Sequence, residues 1–110
     1  MSMNTTIIGA LTSTALPVQA DAYEGTATTY ITFGYYTRPT AFYDDAPEHE
    51  IVSADIHLFA PLGTDTLTLR GQIKAGLFAA GFTWPEETNA SDSVSQHIVF
   101  EADYLYETGV

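Results

Sequence analysis

Two stretches of this chain alternate between apolar and polar residues, and that alternation constrains the fold more than any other feature. From Glu50 to Phe59, Val52, Ala54, Ile56 and Leu58 fall on one side, while Ser53, Asp55 and His57 fall on the other. From His97 to Tyr106, Ile98, Phe100, Ala102, Tyr104 and Tyr106 oppose Glu101 and Asp103. A period of two with one polar side is the pattern of an antiparallel strand with one face packed and one face wetted. It argues against a parallel sheet covered on both faces. The stretch Thr28–Thr37 is rich in Thr, Tyr, Ile and Phe, which suit a pleated surface. There Ile31, Phe33 and Tyr35 point one way, and Tyr30, Thr32 and Tyr36 the other.

Helical spacing appears twice. Between Asn4 and Leu16, Met3, Ile7, Leu11 and Ala15 recur four apart, with Asn4 or Thr5 as the expected cap and Pro17 as the stop. Between Asp65 and Ala80, Leu69, Ile73, Leu77 and Ala80 form a stripe that Thr64 or Asp65 caps and Gly81 ends. Gly71 and Gly76 lie inside that second helix, where each costs ~1 kcal/mol relative to Ala. Their presence points to a close backbone approach, with a merely weak helix as the alternative. Val18–Tyr23 reads as a short strand, Glu24-Gly25 as a turn, Phe82–Pro85 as the start of an extended piece, and Glu86–Ser95 as polar loop. The order helix, strands, helix, strands predicts an α+β fold. Its expected form is a mostly antiparallel sheet of 4–5 strands with two helices on one face, in a single domain spanning 1–110.

Charge narrows the function. Fourteen acids stand against Arg38, Arg70 and Lys74, for a net charge of -11, although only 15% of residues are charged. Three scattered cations do not make the basic patch that grips nucleic-acid phosphates or an anionic membrane surface. Without cysteine there are no disulfides, thiolate nucleophiles or Cys-type zinc sites. No apolar run approaches the ~20 residues that span a bilayer. Pro17-Val18-Gln19-Ala20 has the look of a leader-cleavage site, but the first cation is Arg38 and Thr12-Ser13-Thr14 interrupts the apolar run. The segment is therefore expected to be structural.

The chemistry-bearing residues form no catalytic motif. Gly-x-Ser-x-Gly is absent, and the glycines never fall in a phosphate-cradling spacing. Asp44-Asp45-Ala46-Pro47-Glu48-His49-Glu50 holds ligand types but neither a zinc-helix spacing nor a calcium-loop pattern, and reads as a solvated acidic loop. Asp55 and His57 share a strand side and are placed to pair with each other, to meet His97 across the sheet, or to bind a metal; an exposed sheet face is the plainer reading. Glu101 and Asp103 share a side as well, but nothing in the sequence supplies the dry, concave setting that an acid–base pair needs. The expectation is a non-enzyme with no metal and no cofactor. Seven tyrosines and six phenylalanines exceed what one packed face absorbs. Tyr30, Tyr36, Phe42 and Tyr43 fall on the other sheet face or in the long connection Arg38–His49, where wet-edged rings suit an interface.

The whole order of elements resembles the tail-terminator, or tail-completion, proteins of long non-contractile-tailed bacteriophages and prophages. The resemblance is carried by Leu16-Pro17-Val18, Tyr23 and Gly25, Tyr30-Ile31-Thr32-Phe33, Ile56-His57-Leu58-Phe59, Gly81-Phe82, and the aromatic final strand Phe100–Tyr106. It implies a virion protein, made in the host cytoplasm, that forms a ring, expected to be a hexamer, on the head-proximal end of the tail tube. Its implied partners are copies of itself, the major tail-tube protein and a head-completion or connector protein. DNA passes through without specific binding, and no membrane is involved. An acidic wall repels phosphates within a Debye length of ~10 Å at 0.1 M salt, so a ring of such chains makes a non-adhesive conduit. On charge, Asp44, Asp45, Glu48 and Glu50 are expected to face the lumen or the neighbouring ring. The alternatives are another head–tail connector or minor tail protein, a non-viral α+β protein- or ligand-binding module using the Tyr-rich face, and an acidic metal-binding protein using His57, His97 and Asp55.

Overall fold

The computed structural model describes residues 2–39 and 49–107. The chain is α+β, with helices α1 (Met3–Ala10) and α2 (Leu67–Ala79) and strands β1 (Val18–Ala20), β2 (Tyr30–Pro39), β3 (His49–Ala60), β4 (Glu86–Asn89) and β5 (Gln96–Glu107). The five strands form one sheet in the order β1-β2-β3-β5-β4. Every pairing is antiparallel except β1 with β2, which is parallel. The long strands run in unbroken register: Ile31 opposes Leu58, Leu58 opposes Ile98, and the β2–β3 ladder continues to Pro39 opposite Glu50.

Register sets the core. Ile31 and Phe33 of β2, Ala54, Ile56 and Leu58 of β3, and Ile98, Phe100 and Ala102 of β5 share one parity and one buried cluster. Ile7 and Leu11 from the first helical segment, Ile73 and Leu77 from α2, and Phe82 join that same cluster. Burying a side chain of this size is worth about 1.5–3 kcal/mol, so this shared cluster outweighs the weak propensity of both helices.

The helices differ from the sequence expectation at their ends. The first is shorter than Asn4–Leu16, and its cap is Ser2, whose Oγ accepts the Thr5 N–H at 3.1 Å. After Ala10 a 3₁₀ turn (Thr12–Thr14) takes over and Ala15 adopts a left-handed φ of 58°. The cause is the hydroxyl run: Thr12 Oγ1 donates to the Gly9 carbonyl and Thr14 Oγ1 to the Leu11 carbonyl, giving the backbone a competing pattern. The helix therefore ends well before Pro17. The second helix begins at Leu67, with the Asp65 carboxylate accepting the Leu67 N–H at 3.1 Å. It closes at Gly81, whose φ of +107° suits glycine.

Of the two helical glycines, only Gly76 answers to the predicted close approach. A Cβ there would collide with the Ala10 carbonyl oxygen, so α1 and α2 meet backbone to backbone; a Cβ on Gly71 would meet nothing within 4 Å. The second correction is β4. Glu86–Asn89 was expected in a polar loop but forms the edge strand beside β5. All four of its residues are exposed, so no alternation marks it.

One polar knot ties α2 to β5. Gln96 accepts from the Thr66 hydroxyl and from Arg70, and donates to the Thr64 carbonyl. Arg70 and Lys74 then reach Glu87 of β4 at 3.2 and 2.9 Å.

Candidate functional site

The sheet face opposite the core cluster is ordered in rows, because each antiparallel pairing sets side chains directly across from one another. At one end Tyr30, Phe59 and His97 lie abreast on β2, β3 and β5. Their rings stack at 5.1 Å (Tyr30–Phe59) and 4.2 Å (Phe59–His97), and Tyr23 adds a fourth ring at 4.1 Å from Tyr30. The loop after β1 is folded to deliver Tyr23: its hydroxyl accepts the Ala27 N–H, and a side chain at Gly25 would strike that hydroxyl. Tyr30, expected among the spare interface rings, is half-buried in this row.

One step along, His57 reaches diagonally so that its Nδ1 lies 2.8 Å from His97 Nε2. One ring donates and the other accepts, so at least one of the two is neutral. Burial and the neighbouring His57 charge together hold His97 below the ordinary histidine range. Asp21, Thr32, Gly34 and Phe59 complete a shallow concavity of about 370 Å³ around the pair. Among the described residues, no group of three or more His, Asp or Glu is arranged to hold a metal ion.

The next row is acidic. Asp55, Glu101 and Glu86 stand side by side on β3, β5 and β4, with Gly34 completing the row on β2. Like charges placed directly across a sheet are destabilising. The chain's cations are engaged elsewhere, Arg70 and Lys74 with Glu87 and Arg38 with Asp103. Asp103 also accepts from the Ser53 hydroxyl at 2.8 Å, so it sits in a hydrogen-bonded ion pair rather than beside Glu101 as an acid–base partner.

Beyond the acids, Tyr36 and Leu105 stand 59% and 62% exposed on the same face. Tyr35, of the opposite parity, is 42% exposed, and its hydroxyl donates to Asn4 Oδ1 at 2.6 Å. Glu50 has the core parity, abreast of Pro39 and away from Tyr36. Phe42, Tyr43, Asp44, Asp45 and Glu48 lie outside the described residues. Of the eight residues singled out for contacts, then, Tyr30 and Tyr36 share a face, and the structure brings neither to Glu50.

Sequence reasoning missed the carboxylate row because Glu86 was assigned to a loop. It also missed a second exposed apolar spot, where Phe78 of α2 and Trp84 meet edge to face at 5.6 Å, each 57% exposed. The spacing of Phe78 off the Ile73–Leu77 stripe was the signal for it.

Among the described residues, no helix is long and apolar enough to cross a membrane. No family model matches the chain, and no curated protein matches it. Among solved structures, a protein known by a sequence identifier alone superposes over 99% of this chain and 99% of its own, with a TM-score of 0.59 and 14% identity. At that identity the likeness shows a shared fold across the full length, and nothing further.

Proposed function

We propose that this chain is a structural subunit of a phage or prophage tail: a tail-terminator protein that assembles as a ring, caps the tail tube, and joins it to the head. It performs no reaction. The observation that carries the reading is the row Asp55–Glu101–Glu86 on an uncovered sheet face of a chain with net charge -11. A like-charge row costs stability where it stands, and its return is a negative field over a broad surface. Repeated around a ring, that field keeps a passing polyanion off the wall. Asp44, Asp45 and Glu48, outside the described residues, count toward the same net charge. The exposed rings Tyr36 and Trp84, on separate parts of the surface, suit a head-to-tail contact, which needs two dissimilar patches.

The test is assembly in the presence of tail-tube protein. Tubes are expected to stop growing and to carry a ring at one end. Unchanged tube lengths, with this chain left unbound, would overturn the proposal. A second reading, a ligand-binding module, is favoured by the concavity around His57 and His97, whose volume sits at the low end for ligand sites. It requires a small aromatic or anionic compound to shift the His57 and His97 resonances saturably.

A further inference from the structure

His57 and His97 meet because of register, and register also holds them in place. His57 opposes Val99 and His97 opposes Phe59, so the two rings meet on the diagonal between β3 and β5. Phe59 stacks on His97 at 4.2 Å and lies within 13° of the plane of His57. The ladder fixes both backbones, and what stays free is chiefly the turning of each ring about its broad terminal torsion.

The pair lies far along the sheet from residues 40–48 and 108–110. Thr32, opposite His57, is seven places from Pro39, about 23 Å at the rise of a strand. Even fully extended, a nine-residue connection that must return to the adjacent strand reaches out only about 18 Å. His97 is ten places from Glu107, about 33 Å along β5. The concavity around the pair is therefore walled by described residues, Asp21, Thr32, Gly34 and Phe59, and both histidines are half-buried beside it.

Two imidazole nitrogens 2.8 Å apart suit one shared proton, and the same spacing suits one shared metal ion. With nitrogens ~2.05 Å from the metal, two cis ligands of a square-planar or octahedral ion lie about 2.9 Å apart. A tetrahedral ion would spread them to about 3.3 Å. The observed bite matches the first geometry, which Cu2+ and Ni2+ favour. Imidazole nitrogen also discriminates against Ca2+ and Mg2+, which take oxygen ligands. The N–H that now points from one ring to the other would pass through water to the far nitrogen of its own ring. Both rings then stay neutral, and each offers a lone pair to the ion.

The surrounding charge favours a cation. Asp21 takes a left-handed φ of 68°, and its Oδ1 lies 3.9 Å from where a Cβ on Gly34 would stand. Its carboxylate thus overlooks the bare floor of the concavity, where it can accept hydrogen bonds from metal-bound water. Asp55 stands two places before His57 on the same face.

We infer that His57 Nδ1 and His97 Nε2 form a two-imidazole site for a late transition-metal ion, Cu2+ or Ni2+, whose remaining positions hold water beside Asp21. Two protein ligands make a surface site of modest affinity, unlike a closed structural centre with four. The site shares its histidines with the ligand-binding reading above but takes an ion in place of an organic compound. It is independent of the tail reading, and success or failure of tube capping leaves it untouched.

Cu2+ titrated into the full chain, followed by calorimetry and electron paramagnetic resonance, tests it. One equivalent is expected to bind saturably, with nitrogen couplings from two imidazoles in the spectrum. His57→Gln and His97→Gln are each expected to weaken binding at least about tenfold, since losing a ligand costs no less than losing a ligand's support. His49→Gln, at the third histidine of the chain, is expected to change nothing. Binding that survives the loss of either ring, or a spectrum of oxygen ligands alone, would mean an adventitious ion only and would overturn the site. Absence of saturable binding would overturn it as well. If circular dichroism shows a variant to be unfolded, the unaltered chain decides. There, Cu2+ well below one equivalent is expected to broaden the His57, His97 and Phe59 resonances first, and broadening centred elsewhere would refute the assignment.

Discussion

Replacing each helical glycine of α2 by alanine separates helix propensity from packing. In an isolated helix, Gly→Ala at either position gains ~1 kcal/mol. At Gly71 the new methyl group meets open space, so the gain is kept, and Gly71→Ala is expected to stabilise by about 0.5–1 kcal/mol. At Gly76 the methyl group would overlap the Ala10 carbonyl oxygen. That oxygen is backbone, so relief requires α1 and α2 to separate, which also loosens Ile7 and Leu11 against Ile73 and Leu77. Overpacking of this kind typically costs 1–3 kcal/mol, and here the overlap is severe enough to exceed the propensity gain. Gly76→Ala is expected to destabilise by about 1–3 kcal/mol net. Urea unfolding measures both changes, and for a chain of this length each kcal/mol corresponds to about 4 °C in Tm. Equal stabilisation by the two substitutions would refute the close approach of α1 to α2.

Several further outcomes follow from the same geometry. Neutralising the acidic row with Asp55→Asn and Glu101→Gln is expected to raise stability by about 0.2–1 kcal/mol, with the difference shrinking as salt is added; a loss of stability would show that the carboxylates are structurally required. Gln96→Ala takes the acceptor from the Thr66 O–H and the side-chain donor from the Thr64 carbonyl, and is expected to cost about 1–3 kcal/mol in urea unfolding; an unchanged midpoint would count against that knot. For His97, burial and the His57 charge favour the neutral ring in the folded chain. The unfolded chain therefore binds the proton more readily, and stability falls as pH drops from about 6.5 through the lower folded value. An NMR titration placing His97 at or above the ordinary histidine value would contradict this.

How much of this was legible in the sequence differs by element. The long strands and the face each residue takes could be read from alternation, because the two faces meet different solvents: Val52, Ala54, Ile56 and Leu58 are all buried. The edge strand Glu86–Asn89 was not, since both of its faces are exposed and its pairing with β5 is set by the partner. The end of α1 was hidden for a different reason. The apolar spacing runs on to Ala15, but Thr12 and Thr14 spend their hydroxyls on preceding carbonyls and break the helix first. His57 and His97 could be suspected of meeting, while their 2.8 Å contact depends on a register that only folding sets. The acidic row is likewise a product of register, invisible until β3, β5 and β4 are laid side by side.

Sedimentation velocity over a wide concentration range, alone and with tail-tube protein, weighs the central claim most directly. The chain is expected to pass from monomer to one closed species, a hexamer on the family resemblance, with no ladder of open chains. A terminal two-fold dimer, or a monomer under every condition, would contradict it.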